Sequence, residues 1–236
     1  VEHRMYLPLA AVTVLRVVAG HEWLVRRARS PGDARVLAVL AVLALCALTI
    51  RRNTAYHSEI AIWEDVVAKR PLNGRGYNNL GRAWLRVHDL AHAMPRLRQA
   101  VEIAPGYALA HNNLGAALVE EGKLDAAIEQ YREALAISPG LADAHINLGP
   151  ALARRGEYEA AIAEYREALR LEPDHTPGWT ALGSAQARAQ QFEPAIRSYR
   201  EASRLDPRSA QKSNNLGLAL AAAGKWDEAL TSYERA

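Results

Sequence analysis

A single cysteine, Cys46, is the whole thiol content of this 236-residue sequence, which excludes an intrachain disulfide and leaves the redox compartment unread. Also missing are a glycine-rich phosphate loop, the Cys and His spacings of a zinc site, and any nucleophile set beside a base. Neither a catalytic constellation nor a cofactor is therefore assigned to these residues. His88 and His92 stand four apart, but they straddle a turn between helices with no third ligand nearby, so no metal is assigned to them. Charge of one sign is scarce as well: 29 Lys and Arg meet 26 Asp and Glu, for a net charge of +3, and the arginines are scattered. That balance disfavours a nucleic-acid surface. Apolar runs fall short of the roughly 20 residues that cross a bilayer. The best of them, residues 36–50, is 15 residues without a charge.

What the sequence does have is a period. A Leu-Gly pair returns every 34 residues, at Leu80-Gly81, Leu114-Gly115, Leu148-Gly149, Leu182-Gly183 and Leu216-Gly217. Ala93, Ala127, Ala161, Ala195 and Ala229 follow twelve residues after each glycine, with Ala100, Ala134, Ala168, Ala202 and Ala236 seven further on. Pro105, Pro139, Pro173 and Pro207 close the first four units, and the fifth is cut short. Such a period marks stacked helix pairs, each unable to bury its apolar face alone. The small residues let the two helices of a unit approach closely, and each proline stops a second helix. Gly122, Gly156 and Gly224 supply the left-handed residue that ends a first helix. His88 and Gln190 stand in those places in the first and fourth units, where less regular turns are expected. Pro150 removes the bond to the Ile146 carbonyl and is expected to kink the first helix of the third unit; Pro95 acts similarly in the second helix of the first.

This frame resembles the tetratricopeptide repeat (TPR), with Leu-Gly at positions 7 and 8, Ala at 20 and 27, an aromatic at 24 and Pro at 32. Position 24 holds Leu97, Tyr131, Tyr165, Tyr199 and Tyr233. Position 4, also aromatic in the family, holds Tyr77, His111, His145, Trp179 and Ser213, and the two histidines are read as only filling it. The resemblance implies an all-α fold: a right-handed TPR solenoid of antiparallel helix pairs. Its repeats are 74–107, 108–141, 142–175, 176–209 and a truncated 210–236.

Residues 1–52 read as a short membrane helical hairpin with spans of about 5–20 and 35–50. At ~1.5 Å per residue the second span covers roughly 22 Å of a core about 30 Å thick, so the flanking arginines must snorkel. A buried solenoid helix is the other reading of that run. Arg26, Arg27, Arg29 and Arg35 between the spans place the turn in the cytoplasm and the repeats on the far side. The start at Val1 without a basic leader implies missing upstream sequence. EHRMYLPL at 2–9, the hairpin, and residues 51–73 ahead of tandem repeats resemble the C-terminal part of bacterial relatives of the transmembrane and tetratricopeptide repeat (TMTC) proteins. That family joins a GT-C-type membrane glycosyltransferase to an extracytoplasmic repeat array, and its eukaryotic members are protein O-mannosyltransferases. The resemblance implies a bacterial inner-membrane protein with a periplasmic array. Trp63 and Pro71 fall in phase with positions 24 and 32, so residues 53–73 are expected to hold an orphan second helix that caps repeat 1.

Asn79, Asn113, Asn147 and Asn215 all occupy position 6, with Ala181 the one gap. At ~100° per residue, position 6 lies about 150° from the core stripe and faces away from the helix pair. The column resembles the asparagine ladder of the O-GlcNAc transferase superhelix, which implies amides that grip a peptide backbone; an Asn has both donors and an acceptor for this. Local bonding of the same amides is the alternative. Arg75, Arg82, Arg86, Arg154 and Arg188 share the stripe against Asp143 and Glu120 and make it mildly cationic. Three functions stay open: a membrane-anchored scaffold for a peptide or protein partner, the acceptor-presenting end of a glycosyltransferase, and a spacer.

Overall fold

The computed structural model describes residues 58–236 together with Leu40. Among the described residues there are eleven α-helices and no strand. They are α1 (Glu59–Lys69), α2 (Gly74–Arg86), α3 (Leu90–Ile103), α4 (Ala108–Glu120), α5 (Leu124–Ile137), α6 (Ala142–Arg154), α7 (Tyr158–Leu171), α8 (Thr176–Arg188), α9 (Phe192–Leu205), α10 (Ala210–Ala222) and α11 (Trp226–Glu234). The chain divides into two compact units, 1–62 and 63–236, and everything below concerns the second. None of its described helices is long and apolar enough to cross a membrane. Both spans expected in the N-terminal hairpin lie, but for Leu40, outside the described residues.

From α2 onward each first helix packs on its own second helix, and each second helix on the next repeat's first. First helices also touch one another directly, α2 with α4, α4 with α6 and α6 with α8. They therefore share one face of the stack. What brings each pair together is the glycine at position 8. A Cβ built on Gly115, Gly149, Gly183 or Gly217 would lie 2.5 to 2.8 Å from the ring of the position-24 tyrosine of the same repeat. In repeat 1, Leu97 takes that place against Gly81, at 2.5 Å. The alanines at positions 20 and 27 complete the close approach, for Ala93, Ala127, Ala161 and Ala195 are fully buried. Ahead of the array, Val66 and Val67 of α1 pack against Gly76, each 3.2 Å from where its Cβ would stand.

The turn inside each repeat follows one pattern. Gly122, Gly156 and Gly224 have φ of 82°, 84° and 76°. The next residue's N–H reaches back five residues, Lys123 to Leu118 O at 2.8 Å and Glu157 to Leu152 O at 3.0 Å, which closes a Schellman motif. His88 and Gln190 were expected to disturb this turn, and they do not. They take φ of 57° and 59°, and the same bonds form, from Asp89 to Trp84 O at 3.0 Å and Gln191 to Gln186 O at 2.8 Å. The helices on both sides over-determine the turn and hold a side-chain-bearing residue in the left-handed region, at a cost of roughly 1–2 kcal/mol. Helix α6 runs from Ala142 to Arg154 with Pro150 inside it.

The buried apolar residues fall into two main clusters. The larger runs from Ala93 to Ala185, through α8; the smaller begins at Ala195 of α9 and ends at Ala229 of α11. Between them stands a polar pair. Gln186 on α8 and Ser198 on α9 are both 3 % exposed, and the Ser198 hydroxyl donates to Gln186 Oε1 at 2.7 Å. Repeats 2, 3 and 5 have buried Leu118, Leu152 and Leu220 where repeat 4 has Gln186.

Candidate functional site

Position 6 lies on the shared face of the first helices, half-buried rather than open, at Asn79, Asn113, Asn147 and Asn215. Two of these amides are engaged between repeats. Asn113 Nδ2 donates to Asn78 Oδ1 at 2.7 Å, and Asn147 Nδ2 donates to Asn112 Oδ1 at 3.0 Å. Asn78 Nδ2 in turn donates to Asn79 Oδ1 at 3.2 Å. The position-5 acceptors, Asn78 and Asn112, are only 2 % and 5 % exposed, so these bonds satisfy groups that water cannot reach. Sequence reasoning did not single out Asn78 and Asn112; the Asn-Asn doublets were the visible signal, since a residue at position 6 meets position 5 of the repeat before. The ladder ends with Asn147, for repeat 3 has Ile146 at position 5 and repeat 4 has Thr180 and Ala181.

The arginines divide differently. Arg82 and Arg86 are exposed on α2 and are engaged with neighbouring groups. Arg154 and Arg188, both at position 13, frame a cleft of about 520 Å³ between α6 and α8. Pro150 and Ala181 form its walls, Tyr165 its floor and Ser184 its rim. Burial pushes the Tyr165 phenol up to about 12, so it stays a neutral O–H at ordinary pH. A second cleft of about 310 Å³ opens between α8 and α10. Ser184 and Arg188 line it too, opposite Asn215 and Leu218, over Tyr199. No carboxylate lines either cleft.

Position 4 does more than fill space. His111 Nε2 and His145 Nε2 donate to the carbonyls of Pro105 and Pro139, at 2.9 and 3.0 Å, and Trp179 Nε1 donates to that of Pro173 at 2.8 Å. Each ring thus ties its repeat to the proline ending the one before. The shared property is a ring N–H six residues after the proline, which Tyr77 and Ser213 lack. The second nitrogens reach helix B: His111 Nδ1 meets Gln130 Oε1 at 2.9 Å and His145 Nδ1 meets Glu164 Oε2 at 2.6 Å. At repeat 1, His92 instead stacks on Trp84 with ring centroids 4.6 Å apart and bonds Asp89 at 2.8 Å. Among the described residues no cluster of His, Cys, Asp and Glu could hold a metal ion.

Family models described as TPR repeat and Tetratricopeptide repeat match residues 115–155 and 149–190, and residues 180–236, together more than half of the chain. By sequence, no curated protein matches. Among solved structures the chain is similar to YrrB, described as a TPR protein with an unusual peptide-binding site. The TM-score is 0.66 and the identity 19 %, over 73 % of this chain and 89 % of that one. MamA from Desulfovibrio magneticus RS-1 gives a TM-score of 0.64 at 20 % identity, over 69 % of this chain and 92 % of that one. PilF of Pseudomonas aeruginosa gives 0.62 at 25 % identity, over 71 % and 76 %.

Proposed function

We propose that this chain, which belongs to the tetratricopeptide-repeat family, is a non-catalytic scaffold that holds an extended peptide or protein segment along the face of its first helices. The observation that carries this reading is the pair of adjoining clefts on that face, floored by tyrosines and joined at Ser184 and Arg188. Arg82, Arg86, Asn79, Asn113 and Asn147 extend the same face toward the N-terminus. Asn113 and Asn147 each keep an acceptor oxygen and one N–H beyond the bond between repeats, so they retain part of the capacity that a peptide backbone requires. Selection of random peptides on the immobilised chain is expected to yield ligands. Replacing Arg188 and Asn215 by Ala should weaken those ligands at least about tenfold, the equivalent of ~1.4 kcal/mol. Arg132→Ala, on the exposed side of a second helix, should not. Equal losses at all three positions, or no selected ligand, would remove the reading.

Residues 1–52 are proposed to anchor the array in a bacterial inner membrane with the repeats in the periplasm, a reading supported by the uncharged run at 36–50 and its flanking arginines. The relation to a membrane glycosyltransferase, with the array presenting its acceptor, is supported by the sequence resemblance of residues 2–9 and 51–73. Alkaline phosphatase fused after Ala236 of the protein as it occurs in the cell is expected to be active; an inactive fusion would place the array in the cytoplasm.

A further inference from the structure

The two clefts alternate in character along the stack. Arg154 stands at one end and Arg188 on the shared wall, while the space beside each arginine is apolar, with Pro150 and Ala181 in the first cleft and Leu218 in the second. Leu218 is 56 % exposed, a large aliphatic group left in water where it lines the second cleft. Neither guanidinium has a carboxylate partner among the described residues, although exposed arginines elsewhere in the array do: Arg155 pairs with Asp125 at 3.0 Å and Arg200 with Glu228 at 2.7 Å. Position 13 of the neighbouring repeats does not compensate, for Glu120 lines neither cleft and repeat 5 has Ala222 there. Two positive charges thus stand beside apolar hollows with no carboxylate lining either cleft.

We infer that the segment bound here is acidic, an extended peptide whose Asp or Glu side chains meet Arg154 and Arg188 and whose apolar side chains enter the two clefts. The inference rests on the proposed peptide reading and specifies its partner. Guanidinium forks match carboxylates bidentately, which gives the pairing geometry as well as charge. An extended chain turns every second side chain to the same side, so acidic and apolar residues two apart suit a row in which arginines and hollows alternate.

The test uses three labelled peptides of one length, in which every second residue is alternately Leu and a variable residue (Asp, Asn or Lys) with Ser between, in fluorescence anisotropy against the full chain. The Asp peptide is expected to bind at least about tenfold tighter than the Asn peptide at low salt, and the gap to close as salt shortens the screening length. In the double variant Arg154→Glu, Arg188→Glu the order should invert in favour of the Lys peptide. These outward-facing changes leave the packed interior alone, and an unaltered helical circular dichroism spectrum checks the fold. Equal binding of the Asp and Asn peptides, or an order unmoved by the double variant, overturns the acidic specificity and leaves the peptide reading standing. If none of the three binds while random selection still yields ligands, the specificity again falls alone; if selection also fails, both fall.

Discussion

A methyl group added at Gly149 would sit 2.5 Å from Cε1 of Tyr165, a ring that is itself only 3 % exposed. Gly149→Ala is therefore expected to lower stability by about 1–3 kcal/mol, the usual cost of overpacking. Gly140→Ala, where an added Cβ meets nothing within 4 Å, should stay within about 0.5 kcal/mol in the same denaturant titration. Equal effects at the two sites would show that the tyrosine contact does not set the helix spacing. At this scale much was legible in the sequence, because Gly at position 8 and Ala at 20 recur without exception and smallness has few other uses at such spacing. The partners of polar side chains were less so. Asn113 can be seen to face off the core stripe by angle alone, but that its amide reaches Asn78 of another helix depends on the stacking distance between repeats, which no sequence period states.

Helices and their turns were legible where a residue's own chemistry decides the outcome, and misleading where the neighbours do. Proline at position 32 and glycine at the inner turn mark the ends of elements correctly. His88 and Gln190 break the local rule yet adopt the turn, because two packed helices and a six-residue hydrogen bond outweigh a left-handed penalty of order 1–2 kcal/mol. Pro150, expected to kink α6, is exposed and lines the first cleft, and helix α6 continues past it. The position-4 latch was hidden for a different reason. The family pattern asks for an aromatic ring there, whereas three of the five residues here contribute a ring N–H to a carbonyl, and a consensus written in terms of shape does not record a donor.

Across the array, stability depends on each repeat and its neighbours, so a weak junction is felt locally. The polar pair Gln186–Ser198 lies where one apolar cluster ends and the next begins, and the Asn doublets that join repeats 1 to 3 are absent from repeat 4. Native-state hydrogen exchange is expected to show α9 to α11 opening at lower free energy than α4 to α7. Replacing the pair together, Gln186→Leu with Ser198→Ala, restores the residue type of repeats 2 and 3 at position 11 without orphaning a buried hydroxyl, and should bring the two values together. Uniform protection through the wild-type array would show that the polar pair is no weak point.

That seam also gives the array a direction. The first cleft is built on α6, α7 and α8, all on one side of it, whereas the second needs α9 and α10 from the other side. When the stack parts between α8 and α9, the second cleft comes apart while the first keeps its walls. A segment lying across both is then let go from its far end first, while Arg154 still holds the near end, so detachment proceeds as a peel and the remaining grip favours rebinding over escape.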